Sequence, residues 1–210
     1  MAIGKHLATA GMSAALLAGC GGHHLAVGGA PPQRPWREVA TADDRKRLRD
    51  WRISWVAAVN KARQSGHGSE IDREGTLLQP DIGLTDPVPP VGEYRCRTLK
   101  IGAKTPGLSD YASYPGALCR IGLREERLRF TKLDGVQRPV GTLYPDDGQR
   151  AVFLGTMVLG DEHKALGYSN DRDRDMAGFV QRIGERTWRI AFPAPHWEST
   201  LDVIELTPAG

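Results

Sequence analysis

The chain carries none of the short signatures that most directly name a chemistry. There is no Gly-x-Ser-x-Gly elbow, no Gly-x-Gly-x-x-Gly turn, no phosphate-binding loop and no His-Glu-x-x-His pair. These gaps argue against an ordinary serine hydrolase, a nucleotide enzyme and a zinc protease. Cysteine is scarce, with three in 210 residues. Two cysteines without companion His or Cys at ligand spacing do not make a metal centre. The chain also has little charge of either sign in excess, at +3 overall. That is too near neutrality to argue for nucleic acid. No apolar run reaches the length of about 20 residues that a membrane-spanning helix needs.

The longest apolar or small stretch is Leu7 to Gly19, broken only by Thr9 and Ser13 and preceded by Lys5 and His6. Its length fits the h-region of a secretory signal. It ends Leu17-Ala18-Gly19-Cys20, with small residues leading into a cysteine. This is the pattern of a bacterial lipoprotein signal, in which residues 1–19 are removed and Cys20 carries the lipid. The alternatives are a signal cut without lipidation and a buried N-terminal helix. Three acyl chains exceed the two signals that stable anchoring requires. Gly21 and Gly22 follow, without an adjacent Asp, which by similarity to sorting in well-studied bacteria favours the outer membrane on its periplasmic side. The expected address is the cell envelope, with the membrane as a partner through Cys20. Gly21 to Pro35 is rich in Gly, Pro and His. It reads as a solvated spacer, His23 and His24 included, within a tether drawn from residues 20 to 40.

What remains, residues 41–210, is one domain, long enough to bury a core. Thr41 to Gln64 predicts a helix. Thr41-x-x-Asp44 forms a capping-box-like start, and Leu48, Trp51, Trp55, Val59 and Ala62 make one apolar stripe ending near Gly66. The stripe is expected to pack on a sheet. Gly66 to Pro90, with Pro80, Pro87, Pro89 and Pro90, reads as an irregular covering segment.

From Gly92 the pattern changes to strands: Glu93–Ile101, Ala117–Leu123, Arg127–Leu133, Pro139–Tyr144, Arg150–Leu159, Gly178–Ile183, Thr187–Phe192 and Leu201–Leu206. Asp134-Gly135 and Asp146-Asp147-Gly148 read as hairpin turns. The expected fold class is mainly β with an N-terminal helix. Eight strands form an antiparallel meander, barrel-like or split into a sandwich, with the helix packed on it. Closure would remove the exposed edges. Alternation places Tyr94, Cys96 and Thr98 on one face and Arg95, Arg97 and Leu99 on the other. Cys119 and Ile121 likewise oppose Arg120. In an oxidising envelope, with Cys20 taken by lipid, Cys96 and Cys119 are expected to pair as a disulfide from inside the sheet. Two buried thiols are the alternative.

The most polar loop, Gly160 to Asp175, holds Asp161, Glu162, His163, Asp171, Asp173 and Asp175. The alternating Asp residues resemble the start of a calcium loop. Met176 stands where that loop needs Gly, the twelfth position lacks Glu, and Arg172 and Arg174 neutralise the charges. An internally ion-paired loop is therefore the expectation, with a ligand- or partner-contacting loop as the functional alternative. Acid–base chemistry by Asp161, Glu162 and His163 would need a geometry that adjacent residues rarely share. His196, in a turn with Pro193, Pro195 and Trp197, is expected to pack. Arg95, Arg97, Arg120, Arg124, Arg127, Arg129, Arg138 and Arg150 fall on or beside strands, as solvated faces or as contacts to envelope anions. No cofactor, metal or catalytic residue is expected.

Several segments together resemble a known bacterial family. They are Gly92 to Gly102, Leu118-Cys119-Arg120, Gln137 to Asp146, Val152-Phe153-Leu154-Gly155, Arg174 to Gly178, Arg182-Ile183-Gly184, Trp188-Arg189 and Leu201 to Leu206. As an ensemble they are similar to domain of unknown function 4893, over roughly Thr41 to Pro208. The resemblance implies no activity and no catalytic residue. Its pattern includes both Cys96 and Cys119. The expectation is a lipid-anchored envelope domain that binds a ligand or a partner protein, with an envelope hydrolase built on the polar loop, or an assembly factor, as the alternatives.

Overall fold

The computed structural model describes residues 1–2 and 35–210. The signal from residue 3 on, Cys20 and all of the spacer except Pro35 lie outside the described residues. Among the described residues, Trp36, inside the segment read as tether, already belongs to the packed body. Trp36–Val39 (α1) is a single helical turn whose Trp36 is buried. The long predicted helix is two helices, Ala42–Arg49 (α2) and Trp51–Ala62 (α3), broken at Asp50. Thr41 caps α2 as its sequence implies, its hydroxyl accepting from the Asp44 backbone N–H. Gly66 takes φ +97°, the left-handed conformation that glycine permits, and turns the chain. The next segment is less irregular than its prolines suggest. Gly68–Arg73 (α4) and a 3-10 turn at Gly75–Leu78 precede Pro80 and bury Ile71, Leu77 and Leu78.

Eight antiparallel strands close into a barrel in sequence order: Gly92–Ala103 (β1), Tyr111–Arg124 (β2), Arg127–Lys132 (β3), Gln137–Pro145 (β4), Ala151–Leu159 (β5), Asp175–Gly184 (β6), Thr187–Pro193 (β7) and Ser199–Pro208 (β8). The meander is thus a barrel rather than a sandwich, with β1 pairing β8 to complete it. A disulfide joins Cys96 to Cys119, with Cα atoms 6.0 Å apart. Both cysteines are buried in the barrel core, while Arg95 and Arg120 face solvent.

The two faces of the barrel wall differ around its circumference. Inside, alternate residues of every strand form one core, including Phe130, Phe153, Ile190, Phe192 and Ile204. Outside, α3 covers β1, β7 and β8 through Trp55, Ala58 and Ala62 against Leu99, Ile101, Leu201 and Val203. The first two helices cover β5 and β6 through Trp36 and Leu48 against Val152, Leu154, Ala177 and Phe179. Strands covered on both faces read as near-continuous apolar runs, as β5 does. Beyond Tyr111 at the start of β2, strands β2 and β3 have no such cover among the described residues, and Arg120, Arg124 and Arg127 stand exposed there. The approach of α3 to β1 is close. A Cβ on Gly102, which has φ +70°, would lie 2.9 Å from the Ala58 Cα.

Strand β2 begins six residues before its expected start, and this shapes one end of the barrel. Pro115 and Gly116 look like strand breakers, but the β1–β2 register shifts between Cys96 and Thr98 and absorbs them as a bulge. Only the part of β2 from Cys119 onward pairs with β3. Residues 111–117 pair in register with β1 alone, where a proline without an N–H is tolerated. Strand β3 has six residues and shares three register pairs with β4. The wall is therefore low at β3, and that end of the barrel stands open.

Candidate ligand site at the mouth of the barrel

The interior is filled from one end to about its middle. Tyr94 and Trp188 meet edge to face at 6.0 Å and close the far end. Phe153 lies 5.2 Å from Phe192 and 6.0 Å from Phe130, ring centre to ring centre. Beyond these rings lies a cavity of about 450 Å³ at the mouth. That is within the roughly 300–1,000 Å³ of small-ligand pockets. Its apolar wall includes Met157, Met176, Phe192 and Ile204, and the bulged segment Tyr114 to Ala117 forms one rim.

Charged groups line the same cavity. Lys100 lies on the inward face of β1, two residues past Thr98, and Asp202 on the inward face of β8, paired with it in register. Lys100 Nζ is 2.9 Å from Glu198 Oε2 and 3.2 Å from Asp202 Oδ2. The Ser199 hydroxyl donates to Asp202, and Gln137 Nε2 donates to Glu198 at 3.1 Å. Burial pushes the Asp202 carboxyl upward. Burial alone would lower Lys100, but its two carboxylates outweigh it and hold the proton. Glu198 would likewise rise on burial, and the Lys100 contact brings it below the ordinary range. This cluster is internally paired.

A second cation is not. Lys132, on β3, donates to the Gln137 carbonyl at 3.0 Å and has no carboxylate within 4.0 Å among the described residues. Burial lowers its ammonium pKa. Thr98 Oγ1, in the same wall, is buried without a hydrogen-bond partner among the described residues.

The predicted loop residues divide. Glu162 accepts from the Leu159 backbone at 3.0 Å and pairs with Arg174. Asp171 pairs with Arg174 at 3.3 Å and accepts from the Asp173 backbone. Asp175, now the first residue of β6, is buried and accepts from the Ser169 backbone at 2.8 Å. Asp161 and His163 are exposed. These side chains do not assemble into one catalytic group. The loop is anchored instead by Tyr168, which donates to the buried Asp44 of α2 and accepts from the Thr41 backbone. Asp44 also pairs with Arg47 at 2.8 Å. Arg47 in turn reaches His196, whose Nε2 accepts at 2.8 Å. Partial burial and the Arg47 charge hold His196 below its ordinary pKa. Asp173, Asp175 and His196 line a chamber of about 20 Å³ that shares Lys100 and Asp202 with the mouth. The loop thus borders the cavity without supplying its charged groups.

Those charged groups were within reach of the alternation that placed the cysteines. Cys96, Thr98 and Lys100 share one face of β1, so a cysteine in the core carries Lys100 inside with it. A lysine on an inward position is a signal that strand periodicity alone can deliver.

No curated protein matches this chain, and no solved structure does. A match to the family described as a domain of unknown function (DUF4893) runs over residues 36–206, from the first buried tryptophan to the last inward leucine of β8. It takes in every helix among the described residues and nearly all of the barrel, and the chain belongs to that family.

Proposed function

We propose that this is a lipid-anchored envelope protein whose barrel binds a small molecule in its open mouth without transforming it. The observation that carries this reading is the cavity of about 450 Å³, apolar in its depth and charged at its wall. Apolar lining with a few placed polar groups is the usual make-up of a ligand site. A closed eight-stranded barrel has an interior of the size that holds one small ligand. Cys20 supplies the address by the lipid signal that precedes it.

Uptake of a neutral fluorescent apolar probe, N-phenylnaphthylamine, tests the cavity. The full chain with Cys20→Ser is expected to bind it saturably. Ala117→Trp, which places an indole in the mouth, is expected to abolish uptake while the thermal midpoint stays within a few degrees. Unchanged uptake in Ala117→Trp would overturn the reading. The address has its own test. Labelled palmitate is expected on the wild-type chain and not on Cys20→Ser.

A further inference from the structure

Two cations line the mouth, and they differ in one respect. Lys100 has its charge matched by Glu198 and Asp202. Lys132 donates to the Gln137 carbonyl, with no carboxylate within 4.0 Å among the described residues. The nearby carboxylate, Asp134, is turned to the Leu118 backbone N–H, from which both its oxygens accept, at 3.1 and 3.2 Å. Asp134 attracts the Lys132 ammonium from a distance but does not offset its burial. A half-buried ammonium with no carboxylate in contact is costly, and the cost is removed by an anion that enters with a ligand. The four apolar side chains Met157, Met176, Phe192 and Ile204 lie in the same cavity. Methionine is adaptable and suits an unbranched chain better than a rigid ring system.

We infer that the mouth takes a single-chain anionic amphiphile, its carboxylate or phosphate head on Lys132 and its alkyl chain against Met157, Met176, Phe192 and Ile204. This rests on the binding reading above and deepens it by naming the ligand class. The Lys100 cluster stays closed on itself and serves as a polar wall. The buried Thr98 hydroxyl, without a hydrogen-bond partner among the described residues, offers the head one further donor.

Displacement of N-phenylnaphthylamine from the full chain with Cys20→Ser separates the possibilities. The competitors are decanoate, decyl phosphate and decanol, which share a chain and differ in the head. Decanoate or decyl phosphate, or both, are expected to compete about tenfold better than decanol, the scale of one charge-assisted hydrogen bond. Which of the two prevails identifies the head. Lys132→Met is expected to erase that preference and Lys132→Arg to retain it. Arg120→Gln, which removes an equal charge from the outer face, should change nothing. If decanol competes as well as the anions, or Lys132→Met keeps the preference, the anion inference fails and the cavity reading stands. If the probe does not bind at all, both fail.

Discussion

The guanidinium of Arg189 sits 4.7 Å from the centre of the Trp55 ring, sealed between β7 and α3. Arg189 is completely buried, yet no carboxylate lies within 4.0 Å of it among the described residues. Its donors go to neutral acceptors instead: the carbonyls of Leu77, Gln79 and Pro80, and Gln181 Oε1. Burial lowers its pKa to about 10, which still leaves it charged at neutral pH. One side chain thereby fastens the covering segment to the barrel wall. Arg189→Met removes the fork and strands several buried carbonyls, each a penalty of about 1–3 kcal/mol. The expected loss is about 3 kcal/mol of stability, read as a lower urea midpoint. Arg189→Lys is expected to recover less than half, since an ammonium cannot reach acceptors spread across a planar fork.

Gly141 and Gly155 face one another across β4 and β5, with the Phe153 ring laid over the pair. A Cβ on Gly141 would come within 2.5 Å of the Phe153 ring and 2.7 Å of the Gly155 Cα. The Leu154 carbonyl would also lie 2.5 Å away, so both the backbone and the Phe153 ring, held against Phe130 and Phe192, leave no room for it. Gly141→Ala is therefore expected to cost about 1–3 kcal/mol through overpacking. Gly141→Ala with Phe153→Leu should cost less than the sum of the two single changes, as a double-mutant cycle in urea would show.

The barrel was legible because its strands alternate. Cys96, Cys119, Arg95 and Arg120 stand on the faces that a period of two assigns them, and the disulfide follows from that placement. The failures have identifiable causes. Asp50 reads as an ordinary helix residue, and only tertiary packing divides α2 from α3. The sequence places the start of β2 at Ala117, after Pro115 and Gly116, because a bulge that absorbs such residues is not visible without its partner strand. The polar loop is dense in charge, yet Glu162, Asp171 and Asp175 are spent on Arg174 and backbone N–H groups, and Asp161 and Asp173 are exposed. The cavity was not legible at all, since it arises from the shortness of β3 against its neighbours.

Glu74 gives the stability a definite dependence on acid. It is held on the outer face of β1 by the Arg97 fork, at 2.8 and 2.5 Å, and by the Tyr111 hydroxyl. Burial alone would raise its carboxyl. The Arg97 and Tyr111 contacts prevail, and the group ends below its ordinary range. A carboxyl depressed on folding contributes stability that is present above its unfolded pKa of about 4.3 and is lost as pH falls through the folded value. The wild type is therefore expected to lose stability as pH drops below about 5. Glu74→Gln should start lower at pH 7 and fall less steeply. An equal slope in both proteins would show that Glu74 does not contribute.

The disulfide ties β1 to β2 one step below the bulge that forms one rim of the mouth, so its removal reports on both stability and the site. Cys96 and Cys119 are separated by 23 positions. Cross-linking a loop of that size restricts the unfolded chain by about 3 kcal/mol. Cys96→Ala with Cys119→Ala is expected to lose about that much, and wild type unfolded without reductant should show neither thiol reactive. The inward faces of β1 and β2 still bury Tyr94 and Ile121 beside the missing bridge. The barrel should therefore remain closed, and probe uptake at the mouth should persist in the double variant under native conditions. Loss of uptake with the fold intact would mean that the bridge, and not the short β3 wall, holds the mouth open.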